Sequence, residues 1–348
     1  MSDAVVAAFA PIVLAVLCAF LIALGVVRAA IAYAHRRGMY DQPGQRRSHK
    51  LPTPRGGGIG MVVAVLATVP VCLMSMQPSW ALLIVIALLL AVFLVAWIGW
   101  WDDHHPLPAL PRFGIQIVAA SLFSSALLID GSSWLWLPVL VLAGAWSINL
   151  HNFMDGIDGL LAQQGIFVAC GLALLAWCSG QTALAGASSC VAAACLGFWC
   201  YNRSPARIFM GDVGSGSIGL LLFALTAMLW RVNWPLVWPA LILSSAFVTD
   251  ASLTLLVRIL RGRRWYTAHR EHLYQWIVRR GRTHAVGAAW YGGWNLLVAV
   301  PFAVLAFRRP GIGFIACVVT YAIAAAVWLI GKRRLIRRDR YKVRYVRT

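Results

Sequence analysis

Asn149, Asn152, Asp155 and Asp158 recur at every third position of NLHNFMDGIDGLLAQQG, Asn149–Gly165, and Gly156 and Gly159 directly follow the two aspartates. On a helix, steps of three keep side chains on roughly one face. Glycine lets a backbone or a substrate come close. The segment lies between long apolar runs, where two carboxylates are costly and need a reason. A hard divalent cation, which takes oxygen ligands, is one reason; aspartates capping the amides of a helix end are the plainer alternative.

Acidic residues are scarce elsewhere. The chain has ten Asp and a single Glu, and five of these eleven acids fall in three short stretches: Asp102 with Asp103, Asp155 with Asp158, and Asp212. Such concentration points to one shared site. Adjacent carboxylates repel unless a cation or a proton lies between them, and Arg112 is close enough in sequence to hold a phosphate. In NRSPARIFMGDVGSGSIG, Asn202–Gly219, Asp212 follows Gly211, and a Gly/Ser-rich helix start offers free amides to an anion. No GKS or GKT follows, so this is not a P-loop. Phe209 suits either base stacking or an aromatic place at the membrane interface. HREHLYQ, His269–Gln275, carries His269 and His272 beside Arg270. Histidine can bind phosphate, carry protons or ligate metal, but HxxH is not the HExxH of a zinc protease.

These loops must be positioned by helices in a membrane. Of 348 residues, 61% are hydrophobic, and the mean hydropathy is +0.77; soluble domains are only about 45–50% apolar. Eleven apolar spans are expected, at 4–27, 56–76, 80–101, 113–130, 134–151, 160–179, 181–200, 213–231, 235–258, 286–306 and 311–331, in one all-α domain covering 1–348. The first span lacks a basic leader and reads as retained. The net charge of +19 sits mostly in 35–55, 258–284 and 332–348, which places these segments, including a basic tail at 332–348, in the cytoplasm and favours anionic lipid over nucleic acid as the partner. Arg231 and Arg308–Arg309 fall on the other side. Asp250, the one acid well inside a span, is expected to pair with a neighbouring arginine. The eight cysteines are scattered, form no CxxC, and read as small hydrophobes.

Four stretches together resemble the polyprenyl-phosphate N-acetylhexosamine-1-phosphate transferases: DDxxxLPxxxR (Asp102–Arg112), NxxNFMDGIDGL (Asn149–Leu160), PARIFMGDVGSGSIG (Pro205–Gly219) and AHREHLYQ (Ala268–Gln275). The resemblance runs from about residue 40 to 280, and with RSHKLPTPRGGG it is closest to the branch that starts O-antigen glycans. The triple histidine of the muramoyl-pentapeptide enzymes is replaced by HREH. The resemblance implies a multi-pass protein of the bacterial inner membrane, compatible with a homodimer and with its active site on the cytoplasmic face. It implies Mg²⁺, or Mn²⁺ in its place, and transfer of N-acetylhexosamine 1-phosphate, with GlcNAc or a 6-deoxy relative such as FucNAc or QuiNAc as the sugar, from a UDP-sugar to undecaprenyl phosphate. By that likeness Asp212 ligates the metal, with Asp155 close to it and to the reacting phosphates. Asp102 or Asp103 deprotonates or positions the lipid phosphate. Asn152 and Asp158 orient the nucleotide, Phe209 stacks on uracil, Asn202 and Gly211 belong to the substrate-binding set, and His272 with His269 and Arg270 contacts phosphate. The rivals are a transporter with an acidic ion path and a CDP-alcohol phosphotransferase with different aspartate spacing.

Overall fold

A chain this apolar must satisfy its backbone polar groups within each segment, so it forms helices wherever it meets lipid. The computed structural model describes residues 3–42, 52–74, 81–263 and 269–345, with side chains from 10 to 336 within them. The protein is an all-α polytopic membrane protein. Its helices are α1 (Asp3–Arg37), α2 (Ile59–Leu73), α3 (Ala81–His104), α4 (Ala109–Leu128), α5 (Leu137–Phe153), α6 (Leu160–Cys178) and α7 (Thr182–Asn202). The second half holds α8 (Asp212–Val232), α9 (Val237–Leu243), α10 (Ser245–Leu260), α11 (Leu273–Arg279), α12 (His284–Trp294), α13 (Val300–Arg308) and α14 (Gly313–Tyr345). A π turn joins α12 to α13.

Among the described residues nine helical segments are long and apolar enough to cross a bilayer, and ten if α9 and α10, bent by 73° at their junction, form one span. The remaining expected span, 56–76, corresponds to α2. Its 15 residues reach only about 22 Å at ~1.5 Å per residue, against a hydrocarbon layer of roughly 30 Å. Two helices run past the expected ends of their spans. α1 runs on to Arg37, and α14 carries the basic tail as a continuous helix to Tyr345. Arg46, Arg47 and Lys50 of the first basic loop, and residues 264–268 of the later one, lie outside the described residues.

α8 is the buried centre of the bundle, packed against α3 and α5, while α1, α2, α6 and α7 form a group rich in small residues on one side. Ala19, Ala23 and Val27 of α1 and Ala187, Cys190 and Ala194 of α7 are fully buried, because small side chains let helix backbones approach where lipid supplies no hydrophobic drive. The ends of α3, α5 and α7 and the starts of α4, α6 and α8 lie at one end of the bundle. At the other end Arg231 pairs with Asp130, so the two together add no net charge there.

A short antiparallel ribbon, β1 (Tyr40–Asp41) with β2 (Thr53–Pro54), leads into α2. The chain after β2 lies against the approach to α8: Phe209 N donates to Pro54 O, Gly57 N to Phe209 O and Gly58 N to Met210 O, at 2.8, 2.9 and 2.8 Å. A Cβ on Gly58 would come within 2.3 Å of Gly214 Cα and 2.6 Å of Gly214 N. Neither backbone can yield cheaply, so Gly58→Ala is expected to destabilise by about 1–3 kcal/mol, the usual range for overpacking. The checking measurement is thermal unfolding in detergent; an unchanged midpoint would show that the two segments do not touch.

Candidate active site

Asn149–Gly165 is not one helix. α5 ends at Phe153 and α6 begins at Leu160, so Asn149 and Asn152 stand on the last turns of α5 while Asp155 and Asp158 occupy the break. The break divides the four polar groups. Asn149, Asn152 and Asp155 line a cavity of about 740 Å³, together with Asp212, Arg112 and His272. Asp158 turns away. It pairs with His284 Nδ1 at 3.0 Å and accepts from Ala206 N at 3.2 Å. Burial by itself would raise its carboxyl, but the hydrogen bond and charge of His284 hold it below the usual carboxylate range.

The cavity lining is of two chemical kinds. Val95, Ile98, Leu110 and Phe113 give it an apolar wall from α3 and α4, while the ends of α5 and α8, the histidine loop and Arg112 of α4 itself add polar groups. Asp155 is one of the polar groups. Loss of hydration, and then the charges of Asp212 and Asp103, push its carboxyl up to about 8. Carboxylates crowded in this way attract a cation. Among the described residues no group of three or more His, Cys, Asp or Glu forms a metal cage. Asp155 and Asp212 share the cavity lining and are oxygen ligands of the kind Mg²⁺ uses when one or two carboxylates and substrate phosphates hold it together. The residues present therefore fit that ion.

Arg112 bridges two of the acids: Nη1 donates to Asp102 Oδ2 and to Asp212 Oδ2, each at 2.6 Å. Asp102 also accepts from Leu107 N at 2.6 Å. Asp103 is absent from the cavity wall, with its side chain 0% exposed. Both carboxylates of the Asp102–Asp103 pair are engaged by protein donors, Asp102 by Arg112 and Leu107 and Asp103 by Arg55. Asn152 Nδ2 donates to Ser215 Oγ at 3.1 Å and links the end of α5 to the first turn of α8.

His269 and His272 line the cavity at the start of α11, 4.9 Å apart between ring centres. His272 stacks between Phe153 and Tyr274, and Tyr274 Oη donates to Phe153 O at 2.9 Å, fixing α11 against α5. Burial lowers both imidazoles, His269 to about 4, so both are neutral near pH 7. Neither Nδ1 makes a hydrogen bond within the protein, and that of His272 lies 3.9 Å from Asp250 Oδ1. Behind them Asp250, which the sequence suggests pairs with an arginine, accepts instead from Leu273 N (2.9 and 3.0 Å), Tyr291 Oη (2.6 Å) and Trp328 Nε1 (2.8 Å). It secures α11. Arg258 and Arg263 pair with Glu271.

Four further expected contacts lie off the cavity. Asn202 is buried and clamps two loops, its Oδ1 accepting from Gly159 N and its Nδ2 donating to Ile208 O, both at 2.9 Å. Phe209 is half-buried beside the strand-like approach to α8, and Arg270 is half-buried at the surface of the histidine loop. Gly211 sits immediately before α8 with φ +75°. His284 and Gln116, the latter accepting from Asn149 Nδ2 at 2.7 Å, carry no sequence signal beyond polarity near an apolar helix.

The glycosyl transferase family 4 profile matches residues 85–230, which span all five clustered acids. The decaprenyl-phosphate N-acetylglucosaminephosphotransferase of Mycolicibacterium smegmatis is 32% identical over 343 residues, covering 85% of this chain and 82% of that protein. The probable undecaprenyl-phosphate N-acetylglucosaminyl 1-phosphate transferase of Bacillus subtilis is 28% identical over 288 residues, covering 78% and 79%. The phospho-N-acetylmuramoyl-pentapeptide-transferase of Shouchella clausii is 28% identical over 291 residues, covering 74% and 84%.

Proposed function

Because the chain belongs to glycosyl transferase family 4, the polyprenyl-phosphate sugar-phosphate transferases, we propose that it transfers an N-acetylhexosamine 1-phosphate from a UDP-sugar to undecaprenyl phosphate and releases UMP. This would be the first step of a lipid-linked envelope glycan, O-antigen among them, on the cytoplasmic face of a bacterial inner membrane. The observation that carries the reading is one cavity lined both by apolar side chains of α3 and α4 and by Asp155, Asp212, Arg112, His269 and His272. A prenyl phosphate is apolar at one end and anionic at the other, and a nucleotide diphosphate brings further charge.

Phosphoryl transfer needs charge neutralisation and in-line placement more than an unusual side chain. Mg²⁺, which Asp155 and Asp212 would hold, supplies the positive charge that a diphosphate demands. The remaining work falls to the chain. Arg112, with its side chain 30% exposed, can keep Asp212 aligned and present its other guanidinium N–H groups to a phosphate. Neutral His269 and His272 can each donate one N–H to the sugar-phosphate half of the donor. The apolar wall excludes water, so that the lipid phosphate attacks the donor's β-phosphorus while UMP leaves. Asp158 and Asn202 hold the loops around the cavity in place.

Radiolabelled UDP-sugars should be incorporated into undecaprenyl phosphate by the purified protein. UDP-GlcNAc is the first member of the panel, because the names of two relatives carry that sugar, followed by UDP-GalNAc, UDP-FucNAc and UDP-QuiNAc. EDTA should abolish incorporation, and Mg²⁺ or Mn²⁺ should restore it. No lipid product from any donor, or full turnover in EDTA, would overturn the reading.

A further inference from the structure

α8 must present Asp212 to the cavity from its first turn, yet it has no cap of its own. The residue before it is Gly211, and the first amides of a helix lack intrahelical acceptors. The cap arrives from α3. Asp103 Oδ1 accepts from Asp212 N at 3.1 Å and Asp103 Oδ2 from Val213 N at 3.3 Å. Gly211 makes room for it: a Cβ there would lie 2.4 Å from Asp103 Oδ2, and the φ of +75° is strained for other residues. A carboxylate with 0% of its side chain exposed is costly unless it is paired. Arg55 supplies the pair, donating to Asp103 Oδ1 from Nε at 2.8 Å and from Nη2 at 2.5 Å.

We infer that Arg55 is a positioning residue for Asp212, acting through Asp103. The adjacent acids then divide the task. Asp102, through Arg112, holds the Asp212 side chain, and Asp103, charge-balanced by Arg55, holds its backbone. Arg55 is itself fixed, because the chain on either side of it is pinned through Pro54 and Gly57 to the backbone of Phe209. Arg55 therefore helps to build the active site without itself lining the cavity. The functional side of this inference rests on the role proposed for Asp212; the structural side does not.

The test compares wild type, Arg55→Met, Arg55→Lys, Asp103→Asn and the Arg55→Met/Asp103→Asn double variant, each as the full chain in detergent. The first readout is hydrogen exchange by mass spectrometry over the peptide containing Asp212 and Val213. Arg55→Met should speed exchange there by about tenfold or more, the scale of one charge-assisted hydrogen bond. Arg55→Lys should be intermediate, since it keeps the charge and loses the fork, and it remains measurable if Arg55→Met fails to fold. The double variant should be no worse than Asp103→Asn alone, because residues acting as a unit are not additive. The second readout is transfer kinetics, where Arg55→Met should lower kcat and leave KM for the UDP-sugar unchanged. Unaltered exchange, additive losses or an effect confined to KM would overturn the inference, the last making Arg55 a direct nucleotide contact. If wild type transfers no sugar phosphate, the proposed function fails, while the exchange comparison still decides whether Arg55 and Asp103 cap α8.

Discussion

Asp212→Asn is expected to reduce kcat/KM for sugar-phosphate transfer by about 10³-fold or more, on the scale seen when a preorganised electrostatic group or metal ligand is removed. Asparagine keeps the shape and the capped amide of Asp212 but loses the charge that faces the cavity. The fold should survive the change. Arg112 retains Asp102 at 2.6 Å, and Asp103 still accepts from the amides at positions 212 and 213. The thermal midpoint should therefore stay close to wild type while turnover disappears, so loss of activity can be separated from loss of structure. Turnover within tenfold of wild type would remove Asp212 from the centre of the reaction.

Asp155→Asn should lower kcat by about 10²-fold, with a smaller change in KM for the UDP-sugar, the signature of contacts stronger in the transition state than in the ground state. The reason is position. Asp155 stands in the break between α5 and α6, on the cavity wall, and the charges of Asp212 and Asp103 already work against its ionisation. A carboxylate under that strain gains most when positive charge enters the site. Asp158 is the contrast, being tied to His284 and Ala206 away from the cavity. Asp158→Asn should weaken the protein's stability and spare kcat relative to Asp155→Asn. Steady-state kinetics of the two variants side by side checks this, and equal kcat losses would put both carboxylates at the phosphates.

Membrane class, the all-α fold and the residues that cluster at one end were legible in the sequence. Long apolar runs admit few structures in lipid, and a chain with eleven acids that gathers five in three loops advertises a site. Those signals are local and survive without a fold. What tertiary structure decided is which of the polar residues face the cavity. The every-third spacing of Asn149 to Asp158 predicts a shared face only if the helix continues, and it stops at Phe153. Phe209, Asn202 and Asp103 read as substrate contacts or catalysts. The structure places Phe209 at a loop edge, Asn202 as a clamp between two loops and Asp103 at the start of α8, where backbone amides left open at helix starts and loop turns draw on the same polar side chains that a substrate would use. Arg55 read as one basic residue among many in a positively charged loop. Only its distance to Asp103, 48 residues away in sequence, distinguishes it from arginines that merely set topology. Sequence spacing within one helix is geometry, whereas spacing between α3, α8 and the β2 loop is decided by packing.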